Sequence, residues 1–139
     1  MNSLTACLIT LNEEHNLPRA LRSLNGVADE IVVVDSGSSD RTREIAIESG
    51  ANVITRSWSN YADQKNFAAA AATHDWILSL DADEELSPEL RQSLCHRLCR
   101  RIHSCDYALL GMACDRGRYW EYGLSLSMAV RLGFAELDS

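Results

Sequence analysis

The run Ile31-Val32-Val33-Val34 constrains the fold of this chain more than any other stretch of its sequence. Its β-branched residues favour a strand, and the lack of polar alternation indicates a strand buried on both faces, as in a parallel sheet. Three further runs of strand length are present, at Leu4–Thr10, Asn52–Thr55 and residues 76–80. Helix-favouring segments separate the runs. This order predicts βαβ units, and therefore an α/β fold with a mainly parallel sheet and flanking helices.

The segments between the strands carry residues that start and stop helices. Residues 17–24, 42–49 and 61–73 are predicted helices, and Ser87-Pro88-Glu89 opens another. Asp40 is the expected N-cap of the second helix, and Gly50 is expected to end it. In the third helix we expect Phe67 and the neighbouring alanines on the buried face.

Charge narrows the classes of ligand. The chain has 139 residues, enough for one compact domain, with 13 basic and 20 acidic side chains and a formal charge of -7. Nucleic acid is excluded as a partner, because phosphate contacts need clustered Lys and Arg. An acidic ligand would need a bound cation or the backbone N–H groups at helix starts.

Polar residues follow three of the predicted strands, at residues 10–14, 35–40 and 81–85. Since the carboxyl ends of parallel strands meet at one edge of a sheet, these residues are expected to share the edge where such sheets bind ligands. The sequence has neither a G-x-G-x-x-G fingerprint nor a P-loop, which excludes the ordinary dinucleotide and ATP-loop sites.

Asp81-Ala82-Asp83 is the first candidate site. In an extended segment both carboxylates project to the same side and can converge on Mg²⁺ or Mn²⁺. The alternative is a solvated loop whose acids begin the next helix, and the triplet alone does not decide between the two. An EF-hand loop is excluded because its sixth position, a glycine in that motif, is Leu86.

Asp35 is the second candidate, since it directly follows the buried run and precedes a Ser-rich turn. Its carboxylate can accept hydrogen bonds from a base or a ribose. A simple turn before the next helix is the alternative.

Four motifs, taken together and in this order, resemble those of the family-two glycosyltransferases of GT-A fold. They are Thr10-Leu11-Asn12-Glu13-Glu14, Val33-Val34-Asp35-Ser36-Gly37-Ser38-Ser39-Asp40, Gln64-Lys65-Asn66 and Trp76-Ile77-Leu78-Ser79-Leu80-Asp81-Ala82-Asp83-Glu84. Within that family the chain is most similar to the bacterial enzymes that add glucose to the inner core of lipopolysaccharide. The resemblance covers residues 3–94 and is weak beyond them.

The resemblance implies a Rossmann-like nucleotide-sugar-binding domain that performs an inverting transfer. The donor would be a UDP-sugar, UDP-glucose in the nearest relatives, the cofactor Mg²⁺ or Mn²⁺, and the acceptor the lipopolysaccharide core or another glycan. Carried over by position, the donor-site residues are Thr10, Asn12, Glu13, Asp35, Lys65 and Asp81, and the metal ligand is Asp83. Asp35 would contact the uracil, Asn12 and Glu13 would line the nucleoside pocket, and Asp81 would contact the ribose or the sugar.

Lys65 occupies a position where the family often has a basic residue, so its charge is expected to face the diphosphate. A solvated lysine on a helix is the alternative. Glu84 and Glu85 are expected to support the loop or simply to be acids at a helix start.

The family's catalytic base comes from an acidic motif well beyond the aspartate pair. No acid after Asp83 matches it, and Glu121, Glu136 and Asp138 are candidates by charge alone. Residues 1–94 are therefore expected to form the donor-binding subdomain, and residues 95–139 a divergent, partial acceptor-side segment of a truncated chain. Whether such a chain is an active enzyme stays open, with a non-catalytic nucleotide-binding remnant or a plain interaction module as alternatives.

Two features of the last third have competing explanations. Cys95, Cys99 and His103, with His96 and Cys105 nearby, are compatible with a zinc site, but the tight Cys-x-x-Cys pairs of structural zinc sites are missing, which favours buried reduced cysteines. Residues 116–120 resemble the acceptor-side region faintly. The first five residues lack a basic stretch followed by an apolar run, so we expect a cytoplasmic protein, with peripheral contact at the inner membrane as the alternative.

Overall fold

The computed structural model describes residues 3–74, 76–98, 112–115, 118–121 and 130–131, with side chains for residues 3–74, 76–92, 94 and 95. The strands are β1 (Leu4–Thr10), β2 (Glu30–Asp35), β3 (Asn52–Thr55), β4 (Trp76–Ser79), β5 (Met112–Asp115), β6 (Arg118–Glu121) and β7 (Val130–Arg131). The helices are α1 (Leu17–Ser23), α2 (Thr42–Glu48), α3 (Tyr61–Ala71) and α4 (Pro88–Leu98).

The sheet has the order β3-β2-β1-β4-β7. Strands β1 to β4 are parallel, whereas β7 is antiparallel to β4, and β5 and β6 form a separate antiparallel pair. The predicted α/β fold with a mainly parallel sheet is confirmed. From β1 the chain adds β2 and β3 on one side and then β4 on the other. The carboxyl ends of β1 and β4 therefore flank a topological switch point, where open α/β sheets bind their ligands.

Both faces of the sheet are covered, as the apolar runs predict. On one face, Leu4, Ala6 and Leu8 of β1 belong to a core that includes residues of α1, α2 and α4. On the other face, Cys7, Val32 and Val34 pack with Ala68 and Ala69 of α3. Burial on both faces explains why the strands lack polar alternation.

Helix α3 differs from its predicted span of residues 61–73. Ala72 is already extended, with φ -67° and ψ 141°. The backbone N and Oγ1 of Thr73 donate to Glu30 Oε2, at 3.0 and 2.7 Å, which draws the chain out of the helix. Ala68 and Ala69 are buried as expected, whereas Phe67 is only partly buried and lies 4.6 Å beneath the Arg56 guanidinium.

Most of residues 95–139 lie outside the described part of the chain. Predictions made for Cys99, His103, Cys105, Arg116, Gly117, Glu136 and Asp138 fall there, as do those that depend on the side chains of His96, Arg118, Tyr119, Trp120 and Glu121. Cys95 is an exposed free thiol. The division between residues 94 and 95 falls within α4 and stays a prediction. Among the described residues, no helix combines the length and apolar character needed to cross a bilayer.

Candidate functional site

The carboxyl ends of β1 and β2 are joined through their last residues. Thr10 and Asp35 are paired in the sheet, and Thr10 Oγ1 donates to Asp35 Oδ1 at 2.8 Å. Ser36 N donates to Thr10 O at 2.9 Å, which extends the contact by one residue. Two of the predicted site residues therefore form one hydrogen-bonded unit.

Asp35 is fully buried and accepts four hydrogen bonds. Oδ1 accepts from the hydroxyls of Thr10 and Ser38 at 2.8 and 2.5 Å, and Oδ2 accepts from the backbone N–H groups of Gly37 and Ser38 at 3.0 and 2.8 Å. Burial raises the pKa of the Asp35 carboxyl, but the bonds from Ser38, Thr10 and Gly37 outweigh burial and hold its pKa below the usual value. The carboxylate is therefore charged at neutral pH and fixes the turn that follows it.

The turn after β2 depends on a glycine. Gly37 has φ 96°, a left-handed conformation that L side chains rarely adopt. In this conformation its N–H points at Asp35 Oδ2, which no ordinary residue would achieve without strain. The Ser-rich turn predicted here thus carries backbone donors that converge on one carboxylate.

The loop after β1 is bonded to the loop after β2 along its length. Asn12 N donates to Ser38 Oγ at 2.8 Å, and Glu13 N donates to Thr42 Oγ1 at 2.8 Å. Asn12 Oδ1 in turn accepts from Ser39 N at 2.9 Å, while its backbone has φ 54°, which asparagine tolerates better than most residues. Asn12 and Glu13 are therefore next to the Asp35 turn, as expected, and Asn12 is exposed.

Asp40 was predicted to be the N-cap of α2, and this prediction is wrong. The residue before the helix is Arg41, whose side chain makes no capping bond. Asp40 lies one residue earlier, where Oδ1 accepts from the N–H of Thr42 at 2.9 Å and from its hydroxyl, and Oδ2 accepts from Glu14 N at 3.2 Å. The prediction missed this position because Asp40 also serves the neighbouring loop.

Gln64 is a site residue whose importance the sequence did not reveal, although it stands in one of the four motifs. It is fully buried on α3. Its Nε2 donates to Ser36 Oγ at 3.1 Å and to Arg56 O at 3.2 Å, while its Oε1 accepts from Arg56 Nη1 at 2.6 Å. Gln64 therefore ties the turn after β2 to the segment after β3. A glutamine on a helix is usually solvated, so its pattern alone gave no indication of burial.

Lys65, the next residue of α3, reaches the loop after β4. Its Nζ lies 3.1 Å from Asp81 Oδ1, and the two side chains are 18% and 36% exposed. Both were predicted site residues, and the structure brings them together. A partly shielded lysine at this sheet edge places a positive charge beside the switch point.

The segment from Asp81 to Asp83 was expected to be extended, but it forms a turn. Glu84 N donates to Asp81 O at 3.0 Å, which closes a turn, and Glu84 Oε2 accepts from Asp81 N at 3.3 Å. Strand β4 ends at Ser79, so strand geometry no longer aligns the two aspartates. Asp83 is exposed, and its carboxylate makes no hydrogen bond or ion pair with the described residues.

The chemistry of these side chains can be compared with what a divalent cation requires. No group of three or more His, Cys, Asp or Glu side chains within the described segments could hold an ion. Mg²⁺ and Mn²⁺ at phosphate sites, however, need only one or two carboxylates, because substrate oxygens and water complete the shell. The exposed carboxylate of Asp83 fits a cation that is shared with a diphosphate, whereas Asp81 is paired with Lys65. The two aspartates do not fit a cation held by protein alone.

Comparison with known proteins is consistent with this geometry. Residues 5–125 match the family model described as glycosyl transferase family 2. An uncharacterized glycosyltransferase of Rickettsia felis is 46% identical over 94 residues, which are 68% of this chain and 33% of the relative. The lipopolysaccharide core biosynthesis glycosyltransferase LpsC of Rhizobium meliloti is 41% identical over 96 residues, covering 66% of this chain and 35% of LpsC. The chain thus spans about a third of these relatives' length.

The fold also matches a crystal structure of glucosyl-3-phosphoglycerate synthase from Mycobacterium tuberculosis in complex with Mn²⁺, UDP and glucosyl-3-phosphoglycerate. The TM-score is 0.53 at 25% identity, over 60% of this chain and 36% of that one. The match supports the assignment to the GT-A fold that the motifs implied. By motif, fold and family model, the chain belongs to glycosyl transferase family 2.

Proposed function

We propose that this chain forms the donor-binding part of an inverting, metal-dependent glycosyltransferase. The donor is a UDP-sugar, UDP-glucose in particular, and the acceptor is the lipopolysaccharide core or a related glycan. The observation that carries the proposal is the meeting of two units at one sheet edge, the Thr10–Asp35 unit and the Lys65–Asp81 pair. The likeness to LpsC supports the acceptor class, and the synthase bound to UDP and Mn²⁺ supports the donor.

In this proposal the nucleoside lies over the joined loops after β1 and β2, lined by Thr10, Asn12 and Glu13. The Asp35 carboxylate is the acceptor for the uracil N–H. All four of its hydrogen bonds are used within the protein, so the uracil must displace one donor. The Ser38 hydroxyl is the donor that can turn away most easily, because rotation of its hydrogen about the Cβ–Oγ bond suffices and leaves Ser38 Oγ in place to accept from Asn12 N.

The diphosphate lies near Lys65 and the aspartates. As the phosphates approach, Lys65 exchanges its ion pair with Asp81 for a phosphate oxygen, and Asp81 becomes available to the ribose or the sugar. Asp83, whose carboxylate is exposed, would hold the divalent cation together with the diphosphate. When bound, this cation supplies positive charge that neutralises the nucleotide as the sugar leaves.

Inverting transfer also needs a carboxylate that takes the proton from the acceptor hydroxyl. None of the site residues above is assigned this role, and the candidates by charge lie beyond the described side chains. Donor binding and sugar transfer are therefore separate claims. A nucleotide-binding protein without transferase activity would share the first and lack the second.

Calorimetric titration of UDP-glucose into the 139-residue chain, with Mn²⁺ or with a chelator, tests the first claim. We expect binding only with the metal, and at least tenfold weaker binding by Asp83→Ala, the loss of about 1.4 kcal/mol that one charged contact represents. The matched control is Glu48→Ala, an exposed acid on α2. Metal-independent binding, no binding, or equal binding by Asp83→Ala would refute the donor site. Transfer of glucose from UDP-glucose to a glycan extract tests the second claim.

A further inference from the structure

A groove on the opposite side of the Asp81–Asp83 turn from Lys65 is lined by an unusual concentration of positive charge. It has a volume of about 670 Å³ and lies between α1, the loop after β4 and the first turns of α4. Its charged lining residues are Arg19, Arg22, Arg91 and Glu85. Three guanidinium groups face one carboxylate in a chain whose formal charge is -7, so the surplus of positive charge is local.

The three arginines are only partly engaged by the protein. Arg19 donates to Asp83 O at 3.2 Å and lies 3.8 Å from Glu85 Oε1, but both members of that pair are about half exposed, so the pair is weak. Arg22 makes no side-chain hydrogen bond or ion pair with the described residues and is exposed. Each therefore retains donors for a ligand.

Arg91 adds a second observation. Its Nη2 donates to Asn25 O at 2.6 Å, which fixes the guanidinium plane. Its Nε is buried and has no hydrogen-bond partner among the described residues. This N–H is shielded from solvent and so is not itself the donor that a ligand in the groove would meet. Arg91 Nη1, which makes no hydrogen bond with the described residues, is the donor left for an oxygen-rich ligand.

Two hydrogen bonds join the segments that line the groove, and a helix start adds to its positive potential. Ser23 Oγ accepts from Leu86 N at 3.0 Å, and this buried bond joins α1 to the loop after β4. The eleven-residue helix α4 begins at Pro88, with Ser87 Oγ accepting from Leu90 N at 3.1 Å, so its positive end lies at the groove. The arrangement is preformed in the free protein.

We propose that this groove binds a phosphate group, as the anionic part of a ligand distinct from the nucleotide-sugar. Two uncompensated positive charges match a phosphate monoester, and the planar donors of arginine suit its oxygens. The groove's lining does not include Lys65, Asp81, Asp83 or Asp35, and it meets the proposed donor site only where Arg19 donates to the backbone O of Asp83. The inference therefore stands or falls independently of donor binding. The phosphate belongs either to a soluble phosphorylated molecule or to a lipid headgroup.

Titration of inorganic phosphate into the ¹⁵N-labelled 139-residue chain at constant ionic strength tests the proposal. We expect saturable shifts in the amides of residues 19–23, 86, 87 and 89–91, unchanged by UDP with Mg²⁺. Arg22→Gln should weaken binding about tenfold, which corresponds to about 1.4 kcal/mol. Because Arg22 is exposed, this variant should fold. Arg41→Gln, the same change at an exposed arginine that does not line the groove, should bind as the wild type does.

Two further arms identify the source of the phosphate. Glycerol 3-phosphate should reproduce the shifts if the ligand is soluble. Sedimentation with phosphatidylcholine vesicles that contain phosphatidic acid, lost in Arg22→Gln, would assign the site to a headgroup. Absence of saturable shifts at these amides with phosphate, displacement by UDP, or equal weakening by Arg22→Gln and Arg41→Gln would each overturn the proposal.

Discussion

Strands β2 and β4 both end at the same edge of the sheet, and each has an aspartate at or just after its last residue. The surroundings of these two aspartates differ. Asp35, the last residue of β2, is fully buried and accepts four hydrogen bonds. Asp81, two residues beyond β4, has a 36% exposed side chain whose carboxylate is paired with Lys65. The carboxylate at the β2 end has all its hydrogen bonds within the protein, whereas the one at the β4 end is partly exposed and held by a single ion pair.

The difference follows from the ligand parts that the two ends are proposed to bind. A base and a ribose are recognised by hydrogen bonds of fixed direction, which a rigid, preformed turn supplies. A diphosphate brings charge and a cation with it, so its partners can remain loosely paired until it arrives. Helix α3 serves both ends through adjacent residues, since Gln64 bonds to the turn after β2 and Lys65 to the loop after β4.

The largest expected effect is the replacement of Asp35 by alanine. The change leaves two hydroxyls and the N–H groups of Gly37 and Ser38 without their acceptor, so we expect the free energy of unfolding to fall by about 3–5 kcal/mol. Urea denaturation measures it. Asp83→Ala removes a carboxylate without described partners and should change stability by less than about 0.5 kcal/mol. Equal losses in the two variants would contradict the contrast between the strand ends.

Gln64→Met should cause the next largest loss. Methionine has a similar volume but cannot bond to Ser36 Oγ, Arg56 O or Arg56 Nη1, so we expect about 2–3 kcal/mol of destabilisation. Gln92→Met on the exposed face of α4 is the matched control and should be nearly neutral. Comparison of the two variants by urea denaturation distinguishes loss of the bridge from loss of glutamine as such. A neutral Gln64→Met would show that the turn after β2 does not need α3.

Much of the fold could be predicted from the sequence, because strands buried on both faces need apolar residues at nearly every position. The bounds of β1 and β3 agree with the predicted ones. The end of α3 could not be predicted, since the residue that captures Thr73 is Glu30, 43 positions away. Local helix propensity favours a helix up to residue 73, but this distant contact ends it at Ala71.

The site was predictable in its residues but less so in its geometry. The motifs identified Thr10, Asp35, Lys65 and Asp81, and the structure brings them together in two pairs. The bonds that join the loops after β1 and β2 connect residues 26 to 29 positions apart, which no local pattern reveals. The turn after Asp81 was likewise missed, because it depends on Glu84, which was interpreted only as support for the loop or a helix-start acid.

Protonation of Asp35 in acid should lower the free energy of unfolding by less than Asp35→Ala does. Burial raises the pKa of Asp35, but the hydrogen bonds from Ser38, Thr10 and Gly37 prevail and hold it below the ordinary value of 3.8. Because the folded pKa is lower than the unfolded one, the stabilisation is complete above that value and is lost as the pH falls through the folded pKa. Asp35→Asn, which cannot titrate, should therefore lose less stability than the wild type over this range.

Unfolding free energies measured at a series of acid pH values test this prediction. Glu30 contributes in both proteins: burial raises its pKa, but hydrogen bonds from Thr5 and Thr73 and the charge of His74 lower it overall. Some decline below about 4.5, the ordinary value for Glu30, should thus remain in the variant. Identical slopes in the wild type and Asp35→Asn would mean that the Asp35 carboxylate is not stabilised by its bonds.

The smallest expected effect concerns the β4 end, where Lys65→Met removes the partner of Asp81. The pair is partly exposed, so its loss should cost less than about 1 kcal/mol of stability. Because the aspartates do not fit a cation without a diphosphate, we expect no Mn²⁺ binding in the absence of nucleotide, whereas affinity for UDP with Mn²⁺ should fall about threefold, since the diphosphate loses the lysine charge. Lys65→Arg keeps the charge and should behave as the wild type. If Lys65→Arg weakens UDP binding as much as Lys65→Met does, the geometry of the Lys65–Asp81 pair matters more than its charge, and the β4 end is as preformed as the β2 end.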